Sequence, residues 1–385
     1  MGCKDMIYFD NCSTSFPKAP GVSDRVKEII DEGCFNINRG SYAGAWTMAE
    51  IVFDTRERLA DLFGFKKSRN VIFTGGVTQS LNMVIKGCLK PGDHVITTQM
   101  EHNAVLRPLF QLKKKGVEVD FVSCNRNGEL SVVDFIQKMK PNTKMVVMTH
   151  ASNVCGTVMP IKEAGAICRE KGIVFVVDAA QTAGVLPILM DDWGIDVLAF
   201  AGHKGLLAPQ GIGGFLIQDH VAERMEALLS GGTGSFSDSL EIPAVLPDKF
   251  EAGTLNLPGI AALNTSLSYL KGIGIEHIYE TESKLLRYFT SEVKRIPGVR
   301  LVGDNGTEKC AVAALDFLNM DNGEAAGRLD EEYQIMTRSG LHCAPMAHHA
   351  LGTFPKGVVR CSFGYANTVQ EVDFFLEAVE EICTW

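Results

Sequence analysis

Two apolar runs near the middle of this 385-residue chain decide its fold: Gly172-Ile-Val-Phe-Val-Val-Asp178 and Asp196-Val-Leu-Ala-Phe-Ala-Gly-His-Lys-Gly205. Their apolar residues are consecutive rather than alternating, which is typical of strands buried on both faces of a parallel sheet. Asp178 ends the first run, and Lys204 follows the apolar residues of the second. Because ligands bind at the carboxyl ends of the strands in such sheets, we expect both side chains to face one site.

Lys204 and Asp178 have the chemistry that a pyridoxal phosphate (PLP) enzyme requires. A lysine amine can form a Schiff base with the cofactor, and a nearby carboxylate keeps the pyridine nitrogen protonated so that the ring accepts electrons. A lysine in a surface loop would explain the same letters, since most lysines are exposed. The rest of the chain has to separate these two interpretations.

The pattern of the two runs extends from about residue 70 to residue 217. Short apolar runs alternate there with amphipathic segments such as 78–88, 103–115 and 161–171, which predict helices. The sequence therefore predicts a mainly parallel sheet covered by helices on both sides. Its predicted strands are 70–74, 94–97, 117–121, 144–149, 174–178, 197–200 and 213–217.

The C-terminal part has a different pattern. Residues 269–293 and 369–382 predict long helices, and residues 310–316 and 358–363 predict strands. Between the two parts lies a segment at 230–258 that is rich in Gly, Ser and Pro and has no regular period. So long an irregular connection is usually functional or lid-like.

Composition narrows the class of protein. The formal net charge is −9 and the pI is about 5.6, which argues against nucleic-acid binding because phosphate contacts need a basic surface. No run reaches the ~18 apolar residues of a membrane span, and the N-terminus lacks the apolar region of a signal peptide. The eleven cysteines include no CxxC pair, so we expect a cytoplasmic protein with reduced thiols.

The turn Gly75-Gly-Val-Thr-Gln-Ser80 joins a predicted strand to a predicted helix. Its glycines allow close backbone approach, and the helix N-terminus offers free N–H groups, so it can hold a phosphate with Thr78 as an additional donor. A glycine turn with a threonine cap explains the same letters. The turn is not a P-loop, because no Lys-Ser/Thr follows at the required offset.

Three polar residues follow other predicted strands. His102 could stack on a planar ring and transfer protons, and the amides of Asn153 and Gln181 suit a ring hydroxyl and a substrate. Each of the three is also a common type of turn residue.

The segment Thr337-Arg-Ser-Gly-Leu-His-Cys-Ala344 combines a carboxylate binder, Arg338, with a possible thiolate, Cys343. A second arginine, Arg360, interrupts an apolar strand and needs an anionic partner there. The alternative for this region is a metal site, although the spacing matches no recurrent zinc motif. Its ligands would be His342, Cys343, His348 and His349.

Over nearly its whole length the chain resembles the class V aminotransferase-fold PLP enzymes, and among them the cysteine desulfurases and selenocysteine lyases. The Arg338 to Ala344 segment resembles the Suf-type (group II) branch, in which a short ordered loop carries the catalytic cysteine. The strongest motifs are Gln99-Met-Glu-His102, His150-Ala-Ser-Asn-Val154, Val177-Asp-Ala-Ala-Gln181, Gly202-His-Lys204, Phe250-Glu-Ala-Gly-Thr254 and Arg338-Ser-Gly-Leu-His-Cys343-Ala.

The resemblance implies an α/β protein of PLP-transferase fold type I. We expect a large PLP-binding domain at 21–260, with a mainly parallel seven-stranded sheet. A smaller α+β C-terminal domain at 261–385 would carry the cysteine loop, and an N-terminal segment, 1–20, would belong with the small domain.

The resemblance also implies a set of cofactor-binding residues. Lys204 would form the Schiff base and move protons, Asp178 would pair with the pyridine nitrogen, and His102 would stack on the ring as a third catalytic group beside Lys204 and Cys343. Thr254 would reach the neighbouring site of a homodimer. The remaining cofactor positions would be Gly76, Val77, Thr78, Asn153, Gln181 and His203.

For the substrate, the resemblance implies Asn11, Asn153 and Arg360, with Arg338 close by. Cys343 would attack the sulfur of L-cysteine, which yields L-alanine and an enzyme persulfide that passes to an acceptor protein or a small thiol. No resident metal, nucleic acid or membrane is implied. Family members usually carry a hydroxyl residue two positions before the phosphate-binding histidine, whereas this chain has Ala201.

Alternatives to a cysteine desulfurase remain open from the sequence. A selenocysteine lyase of the same fold would depend less on a thiol nucleophile, and a plain aminotransferase would have no use for Cys343. A sulfur-relay component could bind PLP and turn over little without its partner. An NAD oxidoreductase would also fit the sheet pattern, but the chain has no strand–GxGxxG–helix unit.

Overall fold

The computed structural model shows an α/β protein. It describes residues 6–37, 40–304, 306 and 309–384. The helices are α1 (Val22–Glu32), α2 (Ala43–Leu62), α3 (Val77–Cys88), α4 (Asn103–Lys113), α5 (Val132–Gln137), α6 (Ile161–Lys171), α7 (Asp219–Arg224), α8 (Leu257–Ile273), α9 (Ile275–Val293), α10 (Asn322–Tyr333), α11 (Pro345–Leu351) and α12 (Val369–Thr384). The strands are β1 (Ile7–Tyr8), β2 (Val71–Thr74), β3 (His94–Thr98), β4 (Glu118–Val122), β5 (Thr143–Thr149), β6 (Val174–Asp178), β7 (Val197–Ala201), β8 (Gly213–Ile217), β9 (Val299–Val302), β10 (Val312–Phe317), β11 (Ile335–Met336), β12 (Arg338–Gly340) and β13 (Val358–Ser362).

A seven-stranded sheet forms the centre of the molecule, in the order β2-β8-β7-β6-β5-β3-β4. All its pairs are parallel except those of β8, which runs antiparallel to both β2 and β7. The predicted α/β fold with a mainly parallel seven-stranded sheet is therefore confirmed, and each predicted run is one of its strands.

Both faces of this sheet are covered, which explains why its strands are apolar at consecutive positions. Successive side chains of a strand point to opposite faces. In β6, Val176 packs into one hydrophobic cluster and Val177 into the other. Both residues are fully buried. Such a strand needs apolar residues at every position, because neither face meets water.

A second, antiparallel sheet has the order β12-β13-β10-β9. The start of the chain lies with it: β1 pairs with β11, and Asp10 forms a bridge with Ser362. Phe9 is buried against Phe375, with ring centroids 5.1 Å apart. The division into 1–20, 21–260 and 261–385 stays a prediction, and residues 1–5 lie outside the described part of the chain.

The predicted single helix at 269–293 is wrong. The structure has α8 and α9 there, and they meet at Gly274, whose φ of 83° lies in the left-handed region. Glycine adopts this conformation without a steric penalty, so the chain can turn between two helices. The segment between α7 and α8 has no helix or strand, as the sequence predicts.

No helix in the described ranges combines the length and the apolar composition that a membrane crossing requires.

Candidate active site

One pocket of about 210 Å³ collects most of the polar residues that follow the strands of the large sheet. It lies where β3, β5, β6 and β7 end, opposite the strands β12 and β13 of the small sheet. Its walls are formed by Cys12, Ser13, Val77, Thr78, His102, Thr149, Asn153, Asp178, Ala180, Gln181, His203, Lys204, Arg338, His342, Cys343 and Arg360.

Lys204 and Asp178 form the charged centre of this pocket. Their strands, β6 and β7, are neighbours in the sheet. Asp178 is buried, and one of its oxygens accepts the backbone N–H of Ala180 at 2.9 Å. Burial raises the pKa of Asp178 and lowers that of Lys204, because each charged form loses hydration, while their mutual attraction opposes both shifts. A lysine in this setting is more easily made neutral, and only a neutral amine is a nucleophile or a base.

Two histidines beside this pair are neutral at physiological pH. Burial, reinforced by Lys204, lowers the pKa of His102 and that of His203 to about 4. The Nδ1 atom of His102 accepts the N–H of Ala104 at 3.0 Å, which caps α4 and fixes the ring. The Nδ1 atom of His203 is buried and has no hydrogen-bond partner in the described residues.

The N-terminus of α3 borders the same pocket. Among the described residues, the N–H groups of Val77 and Thr78 have no hydrogen-bond acceptor, as expected for the first turn of a helix. Gly76 precedes them with a φ of 151°, a conformation that other residues rarely adopt. Close packing requires a second glycine, because a Cβ on Gly213 would lie 2.7 Å from the Cα of Gly76.

These groups fit PLP. Free N–H groups at a helix N-terminus and an unpartnered buried imidazole nitrogen can hold a phosphate. A buried carboxylate suits a protonated pyridine, a flat neutral ring can stack on it, and a desolvated lysine can reach the aldehyde. The site chemistry therefore agrees with the cofactor that the sequence predicts.

Arg360 is the most buried cation in the pocket wall, with 2% of its surface exposed. Its guanidinium donates to Asp10 Oδ1 at 2.7 Å, to Ser13 Oγ at 2.7 Å and to the Asn153 carbonyl at 3.0 Å. Its Nε atom has no partner among the described residues. The orientation of this arginine is therefore fixed by the N-terminal segment before any ligand binds.

Arg338 lies directly across from Arg360 in the antiparallel pair of β12 and β13. Two cations at opposite positions repel each other, which destabilises the pair unless an anion lies between or beside them. Asp10 forms an ion pair with Arg360, whereas Arg338 is exposed and donates to Ser13 Oγ at 3.0 Å. The two guanidiniums thus mark a place where an anionic group would be stabilised.

Cys343 is exposed and borders the pocket from a strained turn. His342 and Cys343 both have left-handed backbones, with φ of 46° and 56°. For residues other than glycine such positions cost about 1–3 kcal/mol each. Hydrogen bonds hold the turn in place: Asn153 Nδ2 donates to the His342 carbonyl at 2.8 Å, and the Asn103 N–H donates to the Cys343 carbonyl at 2.7 Å.

Not every predicted site residue borders this pocket. Asn11 lines a neighbouring cavity, and its amide donates to the Ser362 carbonyl at 3.0 Å. Thr254 is exposed and lies away from the pocket. Gln181 does line the pocket, where its amide donates to the Cys12 carbonyl at 3.3 Å.

The alternative of a metal site gains no structural support. His342 and His348 have ring centroids 5.9 Å apart. Within the described ranges, no three His, Cys, Asp or Glu side chains are grouped so that they could hold a metal ion.

Sequence reasoning missed the residues that support the arginines. Asp10 and Ser13 belong to the N-terminal segment, where an acid and a serine in a turn look ordinary. Thr149 and Cys12 also border the pocket. Of these residues, only Asp10 was indicated by the sequence, because a buried arginine such as Arg360 requires an anion. The sequence could not show which acid this is, since Asp10 lies 350 residues from Arg360.

Comparison with known proteins agrees with this geometry. The family model described as "Aminotransferase class-V" matches residues 7–375. The chain belongs to the class V aminotransferase family. Members of this family use PLP, so the family and the site chemistry together indicate a PLP-dependent enzyme.

Several proteins similar to this chain are described as cysteine desulfurases. A probable cysteine desulfurase from Methanothermobacter thermautotrophicus is 33% identical, with 98% of this chain and 95% of the relative covered. One from Pyrococcus abyssi is also 33% identical, with 98% and 94% covered. The apo structure of a cysteine desulfurase from Thermococcus onnurineus has a TM-score of 0.92 at 32% identity, with 98% and 95% covered.

Proposed function

We propose that this class V family member is a PLP-dependent cysteine desulfurase. The observation that carries the proposal is the position of Cys343, an exposed thiol in the wall of the pocket that holds Lys204 and Asp178. The reaction consumes L-cysteine and the Cys343 thiol and yields L-alanine and a persulfide on Cys343. The C–S bond of the substrate breaks, an S–S bond forms, and one proton moves to the substrate Cβ, so no external oxidant is required.

The residues that would hold PLP have distinct tasks. When bound, PLP withdraws electrons from the Cα of the substrate. Asp178 would keep the pyridine nitrogen charged, the Val77 and Thr78 N–H groups with His203 would hold the phosphate, and His102 would stack on the ring. Lys204 would take the Cα proton and return it, because burial lowers the pKa of its amine and so makes the neutral, basic form easier to reach.

Substrate binding would place the sulfur near Cys343. Arg360, with Arg338 beside it, binds the carboxylate, since planar guanidiniums match this anion. Asn153 links the two parts of the site: its carbonyl accepts from Arg360, and its amide holds the turn of Cys343. Carboxylate position and thiol position are therefore coupled through one residue.

Measuring alanine and persulfide formed from L-cysteine tests the proposal. Cys343→Ala should abolish both products while the bound cofactor keeps its visible absorbance. The matched control is Cys34→Ala, which removes another exposed thiol and should leave the rates unchanged. Alanine formation that survives in Cys343→Ala would refute the role of this thiol.

L-selenocysteine in the same assay addresses the alternative of a selenocysteine lyase. A lyase would release selenium even as Cys343→Ala. Activity that appears only with an added thiol-bearing acceptor would favour a sulfur-relay component. A small thiol such as a reductant should suffice if the protein is a complete desulfurase.

Further proposals concern the setting of the reaction. An acceptor protein or small thiol takes the sulfur, and the exposure of Cys343 supports transfer at the surface. We also propose a homodimer in which Thr254 reaches the partner's site, since this residue is exposed and does not border the pocket around Lys204. Assignment to the Suf-type branch, the division into two domains and a cytoplasmic location remain predictions.

A further inference from the structure

A second, smaller cavity of about 40 Å³ lies against Lys204. Lys204, Cys12 and Gln181 line both this cavity and the substrate pocket. Its other wall comes from α9, where Glu282 faces it. A volume of this size holds about three water molecules, since one water needs roughly 10–15 Å³.

Glu282 has no role in the proposed reaction, yet it is only 8% exposed. No described residue forms a hydrogen bond or an ion pair with its carboxyl group. A buried polar group without a protein partner is costly unless water satisfies it, and the cavity supplies the space for that water. Burial raises the pKa of Glu282 to about 8, so the group is a neutral acid at neutral pH, able both to donate and to accept a proton.

Two other titratable groups around the cavity, Cys12 and Tyr365, are poorly suited to exchange protons near neutral pH. Burial raises the pKa of Cys12 above its ordinary value and that of Tyr365 to about 12. Cys310 is the remaining thiol in the wall. Lys204 supplies an amine and Glu282 a carboxyl group to the wall of this cavity.

We propose that Glu282 and the water in this cavity form a proton path that connects Lys204 with solvent. The path approaches Lys204 through a cavity separate from the substrate pocket, so the lysine can exchange its proton while the substrate pocket is closed by ligand. Glu282 is a positioning residue in this scheme, because it acts through Lys204 and touches no reacting atom. The inference rests on the proposed role of Lys204 as the proton carrier, but not on sulfur transfer.

Exchange of the Cα hydrogen of L-alanine with D2O measures the path, because this exchange needs Lys204 and not Cys343. Proton NMR should show a clear loss of exchange rate in Glu282→Gln, while the KM for L-alanine and the cofactor absorbance stay unchanged. Glu280→Gln is the matched control, since Glu280 is exposed on the same helix. Equal exchange rates in Glu282→Gln and wild type would overturn the proposal.

Infrared spectra of the cofactor-free protein give a readout that needs no activity. The carbonyl band of a protonated carboxylic acid should disappear as the pH rises through about 8. The part of this band that Glu282→Gln removes belongs to Glu282, and Glu282→Asp should retain a band. A spectrum that Glu282→Gln leaves unchanged would mean that Glu282 is ionised and would overturn the proposal. A protein that makes no alanine from L-cysteine but passes both tests would refute only the desulfurase function.

Discussion

Replacing Arg360 tests whether the buried guanidinium recognises the substrate carboxylate. Arg360→Gln removes a charge that donates to Asp10, Ser13 and the Asn153 carbonyl, and that would donate to the substrate. A hydrogen bond to a charged group contributes about 1.5–3 kcal/mol. With a factor of ten for each 1.4 kcal/mol, kcat/KM for L-cysteine should fall by roughly 10- to 150-fold.

The same substitution also carries a cost in stability, which has to be separated from the loss of binding. Breaking a buried ion pair costs on the order of 3 kcal/mol. Asp10 keeps one partner, because Ser13 Oγ donates to it at 2.8 Å, so the cost should lie at or below this value. Urea unfolding of the variant gives this quantity directly, and the kinetics are to be measured where the variant is fully folded.

The assay compares L-cysteine with L-cysteine methyl ester, which has one added methyl group and no carboxylate charge. Wild type should prefer the acid, and Arg360→Gln should lose that preference by lowering kcat/KM for the acid alone. Arg338→Gln removes the second arginine of the pair and should also lower the preference for the acid, with a smaller effect on stability because Arg338 is exposed. An equal loss for the acid and the ester in Arg360→Gln would show that the arginine supports the fold rather than the substrate.

Three further predictions concern single buried positions. Burial raises the pKa of Glu101 to about 8 from an ordinary 4.5, so the folded state binds more protons and stability falls as the pH rises between these values. Through this group the wild type should lose up to roughly 4 kcal/mol of its free energy of unfolding between pH 5 and pH 8, and Glu101→Gln should abolish that loss. Urea unfolding at each pH measures it, and the same pH dependence in both proteins would contradict a neutral Glu101. Ala201→Ser adds the hydroxyl that the family resemblance leads us to expect at this position. It should tighten PLP binding by about fivefold in a fluorescence titration, for one hydrogen bond of ~1 kcal/mol, and weaker binding would mean that the hydroxyl cannot reach the phosphate. Glu251→Gln weakens the buried pair in which Arg56 donates to both carboxylate oxygens, and it should cost on the order of 3 kcal/mol in urea unfolding, whereas a loss below 1 kcal/mol would show that the charge is dispensable.

The large sheet could be predicted strand by strand because each strand has a local signal. A strand covered on both faces needs apolar residues at consecutive positions, and the polar residue at its end marks the edge of the sheet. Strand β6 agrees with its prediction at both ends, and β7 extends only one residue beyond its predicted end, to Ala201. The positions of Asp178 and Lys204 at one edge followed from these two strands alone.

The helices around α8 and α9 show where local signals fail. Apolar periodicity continues through residues 269–293, but Gly274 interrupts the chain and starts a new helix. The apolar periodicity indicates which residues of a helix face a hydrophobic core. It does not indicate whether two consecutive helices face the same core or different ones. Leu270 packs with the large sheet and Leu285 with the small one.

By itself, the sequence determined the α/β class, the order of the strands along the chain and the residue types that PLP chemistry requires. These are local properties, since burial on two faces and the chemistry of a side chain leave their mark within a few residues. Only the tertiary structure decided that Asp10 and Ser13 orient Arg360, that Asn153 holds the turn of Cys343, and that Glu282 shares a cavity with Lys204. Such contacts join segments that lie far apart along the chain, and some use backbone atoms, which are the same in every residue, so no local pattern could reveal them.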